Sequence, residues 1–371
     1  MKIRSFEFNL RELGGAMGDF GTLFPLSVGY IVVCGVDPAG FLVLMGLANI
    51  VTGLVYRLPL PIEPMKVIAV MAIAQAWSPS LIYAAGFTMG LVWLLFSVTG
   101  AVDWIARYTP QCVVRGIQLS LAALLLLQAL RLAAIGWLWA VIALALILLL
   151  RDNRYAPAGL VVMVLGVGVA LFRGDLHGFA PPRLQLPSLT RFTLAEMWEA
   201  FLRAGLAQVP LTATNAVIAT AALIKTYWPN QPVAERKLAL NHGLMNVIAP
   251  FFGGFPLCHG AGGLAGQYAF GARTGGANLL EGSIEIALGL FFSTSIAQLF
   301  SVFPQAIIGA MLFYVGLQLL KGARTLAWNR ELLFVALTVL VSVLSNIALG
   351  YLAGMAAYYL ARLWWKPALK A

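Results

Sequence analysis

The stretch Phe255-Pro256-Leu257-Cys258-His259-Gly260-Ala261-Gly262-Gly263 lies between long apolar segments, yet it is a poor candidate for a regular membrane-spanning helix. It contains a proline, a histidine and a run of small residues. Backbone at membrane depth must satisfy its own hydrogen bonds unless it is buried in protein or lines a wet cavity. We therefore expect a break here, with an extended piece over residues 255–258 and a helix that begins near Gly260.

The helix that follows the break is expected to face a cavity with its free N–H groups and its positive dipole end. The small residues at positions 260–263 would let an oxyanion approach the backbone closely. The first interpretation of this stretch is an anion site inside a transporter.

The composition is that of an all-α polytopic membrane protein. Of 371 residues, 61% are hydrophobic and only 10% are charged, and the mean hydropathy is +0.88. A soluble protein of this size could not bury so much apolar side chain. The net charge of +10 is best explained by basic loops that set membrane topology, so we expect no nucleic-acid partner. The three cysteines show neither metal-ligand spacing nor a disulfide framework, and we expect no cofactor.

The apolar segments form two groups of seven around a polar, proline-rich connection. They are predicted near residues 13–33, 39–56, 58–77, 81–102, 110–130, 133–150, 157–172, 201–223, 237–253, 255–272, 277–292, 296–319, 332–345 and 346–364. We expect residues 1–172 to form a first repeat, residues 173–193 a connecting loop and residues 194–371 a second repeat.

A duplication can be read directly in the sequence. Gly46-Leu47-x-Asn49 followed by Pro59-Leu60 recurs as Gly243-Leu244-x-Asn246 followed by Pro256-Leu257, with an offset of 197 residues. An odd number of segments in each half places the second half in the opposite orientation, so the repeat is expected to be inverted. Most lysines and arginines then fall on one side, which predicts cytoplasmic N- and C-termini.

The partner of the opening stretch in the first half is Leu58-Pro59-Leu60-Pro61-Ile62-Glu63-Pro64-Met65-Lys66. Its three prolines forbid a regular helix, and an extended run of about five residues travels about 16 Å, roughly half of a hydrocarbon core. Pro64 then suits the first turn of a half-helix through Ala76. Segments 3 and 10 are therefore predicted to contain half-helices whose N-termini point at each other, a geometry that suits an anionic solute.

Three motifs resemble the molybdate transporter family. Pro59-x-Pro61-x-Glu63-Pro64-Met65-Lys66 is similar to its P-x-P-x-Q-P-M-K motif, with glutamate where plant members usually have glutamine. Pro256-x-Cys258-His259-Gly260-x-Gly262-Gly263-Leu264-Ala265-x-Gln267-Tyr268-x-Phe270-Gly271-Ala272-Arg273 resembles its second signature. Glu12-Leu13-x-Gly15-Ala16-x-Gly18-Asp19-x-Gly21-Thr22 also fits, so the resemblance covers most of the chain.

The family is related to the sulfate permeases, whose fold is shared with the uracil and nucleobase permeases. The resemblance implies fourteen segments in two inverted repeats, with a core domain that moves against a gate domain. Related folds often form homodimers through the gate domain, which makes a homodimer one expectation, although the sequence itself leaves the oligomeric state open. The expected location is the plasma (inner) membrane of a prokaryote.

The candidate site residues follow from the broken segments and from polar positions inside the other spans. The substrate-binding candidates are Pro64, Met65, Lys66, His259, Gly260, Ala261, Gly262, Gly263, Thr22, Gln208, Thr212 and Asn215. The proton-coupling candidates are Glu63, Asp19 and His259. Intramembrane ionisable residues are functional candidates by default.

Each candidate also has a structural explanation. Lys66 either attracts an oxyanion or pairs with Glu63, and Glu63 either neutralises this lysine or titrates during transport. His259 either contacts substrate or fixes the chain break through a carbonyl. The stripe Gln208, Thr212 and Asn215 either lines the site or joins helices.

The function expected from these observations is secondary active transport of a tetrahedral oxyanion, with molybdate favoured by the resemblance. Sulfate, tungstate or a carboxylate are alternative substrates, and an anion channel is the alternative class. An enzyme is disfavoured because Cys258 and His259 have no acid–base partners at catalytic spacing. Proton symport would offset the cost of moving an anion against a negative-inside potential, about 2.3 kcal/mol per charge per 100 mV. No nucleotide-binding loop is present, so ATP is not the expected energy source.

Overall fold

The computed structural model describes residues 2–3, 5–17, 20–150, 158–175, 180–320 and 330–364. In this part of the chain the α-helices are α1 (Leu10–Ala16), α2 (Phe20–Val32), α3 (Pro38–Tyr56), α4 (Lys66–Gln75), α5 (Pro79–Thr99), α6 (Ala101–Tyr108), α7 (Gln111–Ala133), α8 (Trp137–Leu150), α9 (Ala158–Phe172), α10 (Leu194–Ala200), α11 (Leu206–Leu211), α12 (Thr220–Tyr227), α13 (Glu235–Ile248), α14 (Ala261–Phe270), α15 (Gly276–Ser301), α16 (Gln305–Leu320), α17 (Glu331–Leu344) and α18 (Ile347–Trp364). The strands are β1 (Lys2–Ile3), β2 (Phe6–Glu7), β3 (Glu63–Pro64) and β4 (Leu257–Cys258).

Five helical runs in the described residues are long and apolar enough to cross a membrane. They are Pro38–Tyr56, Pro79–Thr99, Gln111–Ala133, Leu194–Tyr227 and Gly276–Ser301. Shorter apolar helices surround them, and many leucines on the outer surface, such as Leu54 and Leu95, are exposed. Such a surface is what a lipid-facing bundle requires, because lipid tails do not favour polar side chains.

Several helices recur at the spacing of the sequence repeat. Helices α3 and α13 begin 197 residues apart, at Pro38 and Glu235. Helices α4 and α14 contain ten residues each and begin 195 residues apart. Helices α8 and α17 contain fourteen residues each and begin 194 residues apart.

The repeated Gly-Leu-x-Asn motif lies at two close helix crossings. Helix α3 packs along α15, and a Cβ added at Gly46 would lie 2.5 Å from the Gly282 carbonyl oxygen. Helix α5 packs along α13, and a Cβ added at Gly243 would lie 2.7 Å from Leu94 Cδ2. Small residues allow membrane helices to approach through their backbones, which explains why glycine occupies both repeat positions. A separate group of helices, α7, α8, α16, α17 and α18, packs together.

The structure corrects two predicted boundaries and adds one helix. The sequence analysis divided residues 277–319 between positions 292 and 296, whereas α15 continues to Ser301 and α16 begins after Pro304. Polar residues such as Ser293 mislead a hydropathy window, but Ser293 is buried and its hydroxyl donates to Gln185 Oε1 at 2.7 Å. The short helix α6 was not predicted.

The predicted eighth span is one helical run that contains two π-helical stretches. These are Phe201–Gly205 and Thr212–Ala219, on either side of α11, which contains Pro210. Proline removes a backbone donor, and π-bulges often accompany functional positions in helices. The apolar pattern predicted the span but not its winding.

Gly46→Ala is expected to lower the stability of the folded protein because the added methyl group must displace backbone. Overpacking of this kind costs about 1–3 kcal/mol. Gly168→Ala on α9 is the matched control, since no atom lies within 4 Å of the added methyl position. Thermal unfolding in detergent should show a lower midpoint for Gly46→Ala only. Equal midpoints would contradict the close crossing of α3 and α15.

Candidate functional site

The two broken segments meet in a two-stranded antiparallel sheet. Glu63 pairs with Cys258 and Pro64 with Leu257, and the Met65 N–H donates to the Pro256 carbonyl at 2.9 Å. Helix α4 begins two residues after the end of β3, and α14 begins three residues after the end of β4. The sheet therefore places the N-termini of both half-helices close together, as the repeat predicts.

Two buried asparagines hold the extended pieces at equivalent positions. Asn246 Oδ1 accepts from the Leu257 N–H at 2.8 Å, and its amide donates to the Leu257 carbonyl at 2.7 Å. Asn278 does the same for Leu60, with distances of 2.9 Å and 2.6 Å. Asn49, the repeat partner of Asn246, accepts a bond from the Asn278 amide at 2.9 Å. These amides supply the hydrogen bonds that irregular buried backbone requires.

Two neutral histidines complete this support. His242 Nδ1 donates to the Leu238 carbonyl at 2.7 Å, so its Nε2 accepts from the His259 backbone N–H at 3.0 Å. His259 Nδ1 donates to the Pro61 carbonyl at 2.9 Å, and its Nε2 accepts from Asn241 at 3.1 Å. Both ring nitrogens of His259 are therefore occupied by protein partners, which is the arrangement expected of a residue that fixes the break.

The N-terminus of α4 is capped by a side chain from the eighth span. Gln208 Oε1 accepts from the Val67 N–H at 2.8 Å and from the Ile68 N–H at 3.4 Å. Its amide donates to Thr212 Oγ1 at 2.7 Å. Gln208 and Thr212 thus share one face, as the sequence predicts, and the glutamine carbonyl occupies the position where an anion would meet α4.

The N-terminus of α14 faces the Glu63–Lys66 pair instead. Lys66 Nζ lies 2.7 Å from Glu63 Oε2, and the Glu63 side chain is only 2% exposed. A Cβ added at Gly260 would lie 2.7 Å from both carboxylate oxygens, and one at Gly263 would lie 3.1 Å from the Glu63 Cδ. The carboxylate therefore lies across the first turn of α14.

A small cavity of about 10 Å³ adjoins this pair. Its lining residues are Pro64, Lys66, Gln208, Leu211, Thr212, Asn215, Ala216, Cys258 and His259. Six of them are substrate-binding candidates from the sequence, so the fold brings residues from segments 3, 8 and 10 together. One donor cation and two helix N-termini beside a cavity can stabilise an oxyanion.

The remaining candidates have different positions. Met65 is fully buried as the N-cap of α4, and Gly260 is the N-cap of α14, followed by Ala261, Gly262 and Gly263 in its first turn. Asp19 lies outside the described residues. Thr22 lies in α2, but its side chain lies outside the described part. The sequence did not predict that Asn278, Asn241 and His242 form hydrogen bonds with the extended pieces and with His259. Asn49 and Asn246, by contrast, belong to the repeated motif.

A larger cleft of about 400 Å³ lies away from this site, between α2, α3 and α15. Among the described residues, its lining is apolar apart from Ser27, Glu281 and Glu285. Two carboxylates in an apolar surrounding repel an anion. No group of three or more His, Cys, Asp or Glu in the described residues could hold a metal ion.

Comparison with known proteins assigns the chain to a family. The family described as "Molybdate transporter of MFS superfamily" matches residues 11–125 and 200–319, which include both half-helices. The chain belongs to this molybdate transporter family. "Molybdate transporter 1" of Arabidopsis thaliana is 30% identical over 406 residues, covering 95% of this chain and 88% of that protein. "Molybdate transporter 1" of Chlamydomonas reinhardtii is 29% identical, covering 93% and 90%.

Solved structures of transporters share the fold of this family member. The transmembrane domain of the cyanobacterium bicarbonate transporter BicA has a TM-score of 0.70 at 16% identity, covering 95% of this chain and 98% of that one. The murine Slc26a9 anion transporter in the inward-facing state has a TM-score of 0.73 at 12% identity, covering 98% and 69%. The family to which the chain belongs is one of transporters and not of enzymes.

Gly263→Ala is expected to disturb the site, because its methyl group would displace the Glu63 carboxylate. We expect a loss of about 1–3 kcal/mol in the free energy of unfolding. Gly262→Ala is the matched control, since nothing lies within 4 Å of the added group and alanine favours a helix. Thermal unfolding without substrate measures both. A Gly263→Ala variant as stable as Gly262→Ala would show that the carboxylate does not lie on this turn.

Proposed function

We propose that this protein is a secondary active transporter of a tetrahedral oxyanion, with molybdate as the main substrate. The observation that carries the proposal is the pairing of β3 with β4, which brings Lys66 and the N-terminus of α4 to one cavity and places the N-terminus of α14 beside it. Each helix N-terminus is equivalent to roughly half a positive charge, and Lys66 adds a full one. The family membership and the transporter fold support anion transport.

The names of the relatives support molybdate as the substrate. Two Arabidopsis proteins, 30% identical to this chain, are named molybdate transporters. Recognition by helix dipoles and one lysine depends on charge and size rather than on a specific bidentate pattern. Tungstate and sulfate therefore remain competitors, and their relative binding is part of the test.

For the mechanism, we propose alternating access through movement of a core domain against a gate domain. This interpretation requires fourteen segments in two inverted repeats, with residues 1–172 and 194–371 joined by residues 173–193. The recurrence of helix bounds and the separate packing group of α7, α8, α16, α17 and α18 support it. The substrate-binding set is proposed as predicted, with Gln208 capping α4 and Thr212 and Asn215 lining the cavity.

We also propose that anion entry is coupled to protons, because uptake of an anion against a negative-inside potential is uphill by about 2.3 kcal/mol per charge per 100 mV. Of the predicted coupling groups, Glu63 touches the lysine of the site. His259 is engaged by two protein partners. Asp19 remains a candidate from the sequence alone.

The proposed location is the plasma membrane of a prokaryote, with both termini in the cytoplasm. This orientation rests on the distribution of lysine and arginine. A homodimer through the gate domain is retained as a prediction.

Lys66→Ala is expected to weaken molybdate binding to the purified protein by about 10- to 100-fold, because a charge-assisted hydrogen bond contributes about 1.5–3 kcal/mol. Lys225→Ala, which removes an exposed lysine, is the matched control and should bind like wild type. Calorimetric titration with molybdate, tungstate, sulfate and uracil measures the affinities.

Three outcomes of this titration would change the proposal. Unchanged affinity in Lys66→Ala would remove the lysine from the site. A preference for sulfate would change the substrate but retain the site. Binding of uracil without any oxyanion response would contradict oxyanion transport.

A further inference from the structure

The two half-helices differ in how their N-termini are satisfied. The first N–H groups of α4 donate to Gln208 Oε1, a neutral acceptor. Within the described residues, no side chain accepts from the first N–H groups of α14, whose N-cap is a glycine. Helix N-termini present unsatisfied donors and a positive potential, so we expect the N-terminus of α14 to attract an anion more strongly than that of α4.

A carboxylate of the protein lies at that N-terminus. Glu63 lies against Gly260 and Gly263, one turn of α14, and its side chain is 2% exposed. Its Oε2 accepts from Lys66 Nζ at 2.7 Å, while its Oε1 is buried and has no hydrogen-bond partner among the described residues. A buried carboxylate oxygen without a partner is costly unless it binds a proton or another donor.

We propose that the Glu63 carboxylate is a stand-in for the transported oxyanion, because it occupies the place of the anion when no substrate is bound. It competes with substrate for Lys66 and for the N-terminus of α14, and protonation of Glu63 releases both to the oxyanion. The inference rests on the proposed function and assigns its coupling step to one residue. In the described state the Lys66 ammonium and the Glu63 carboxylate form an ion pair.

The charged and titratable groups around Glu63 support this assignment. On α4 the facing group is Lys66, and on β4 it is Cys258, the strand partner of Glu63. His259 and His242 are held neutral by their hydrogen bonds and cannot replace the lost charge. Lys66 is therefore the cation shared by Glu63 and substrate within the described residues.

The competition fixes the sign of the pH dependence. Two anions cannot share one lysine in a buried site without strong repulsion, so substrate binds the protein in which Glu63 is protonated. Binding is therefore strongest at low pH and weakens as pH rises. Uptake of one proton with each oxyanion corresponds to a tenfold loss of affinity per pH unit.

The test compares molybdate affinity between about pH 5 and pH 8 in wild type, Glu63→Gln and Glu281→Gln. Glu281→Gln is the control for loss of a buried carboxyl elsewhere. In wild type and in this control, molybdate affinity should fall about tenfold for each unit by which the pH rises. Glu63→Gln should bind independently of pH and about tenfold or more tightly than wild type at pH 8. Reconstituted Glu63→Gln should exchange molybdate but not accumulate it in response to a pH gradient.

A second variant covers the case in which the amide disturbs folding. Glu63→Ala leaves room at the α14 N-terminus, so added formate should compete with molybdate in this variant and not in wild type. Size-exclusion profiles and thermal unfolding confirm that each variant is folded. Formate without effect on folded Glu63→Ala would overturn the inference.

The outcomes separate this inference from the proposed function. Suppose that wild type binds molybdate and that folded Glu63→Gln either does not bind it or binds it with the same pH dependence as wild type. Either result overturns the stand-in role and leaves oxyanion transport in place. No oxyanion binding by wild type and by Glu63→Gln at any pH overturns the proposed function and this inference together.

Discussion

Extended backbone inside a membrane protein must find hydrogen-bond partners within the protein, and this constraint organises the structure. Strands β3 and β4 satisfy part of the demand by pairing with each other. Asn246 forms hydrogen bonds with the backbone N–H and carbonyl groups of Leu257, and Asn278 does the same for Leu60. An unpaired backbone group in hydrocarbon costs several kcal/mol. The buried amides and histidines around the site are therefore required by the chain break.

The same break creates the electrostatics of the site. Each strand leads into a half-helix, so Lys66 and the N-terminus of α4 line a small cavity and the N-terminus of α14 lies beside it. Gln208 satisfies α4 with a neutral oxygen, while Glu63 faces α14 with a charged one. The difference gives the two ends different roles: α4 is held fixed, and α14 with Lys66 is the end at which an anion and a carboxylate compete.

The sequence predicted the membrane class, the broken segments and six of the residues that line the cavity, because prolines, glycines and charged residues are rarely found inside membrane-spanning segments without a structural or functional reason. The repeat marked Asn49 and Asn246 but not their bonds. Asn278 had no such signal, because a single asparagine in an apolar segment does not reveal which backbone it bonds. The π-helical stretches and the length of α15 were missed, since apolar periodicity does not report helix winding or a buried serine.

The proposed site of the transported oxyanion is the first turn of α14 beside Lys66. Tungstate scatters strongly, so a structure of the protein with bound tungstate, determined with anomalous diffraction, locates the anion directly. We expect a peak within hydrogen-bond distance of Lys66 Nζ and the N–H groups of Gly262 and Gly263, with the Glu63 carboxyl moved away from Lys66. A peak in the cleft of Glu281 and Glu285, or at α4 with the Glu63–Lys66 pair intact, would contradict it.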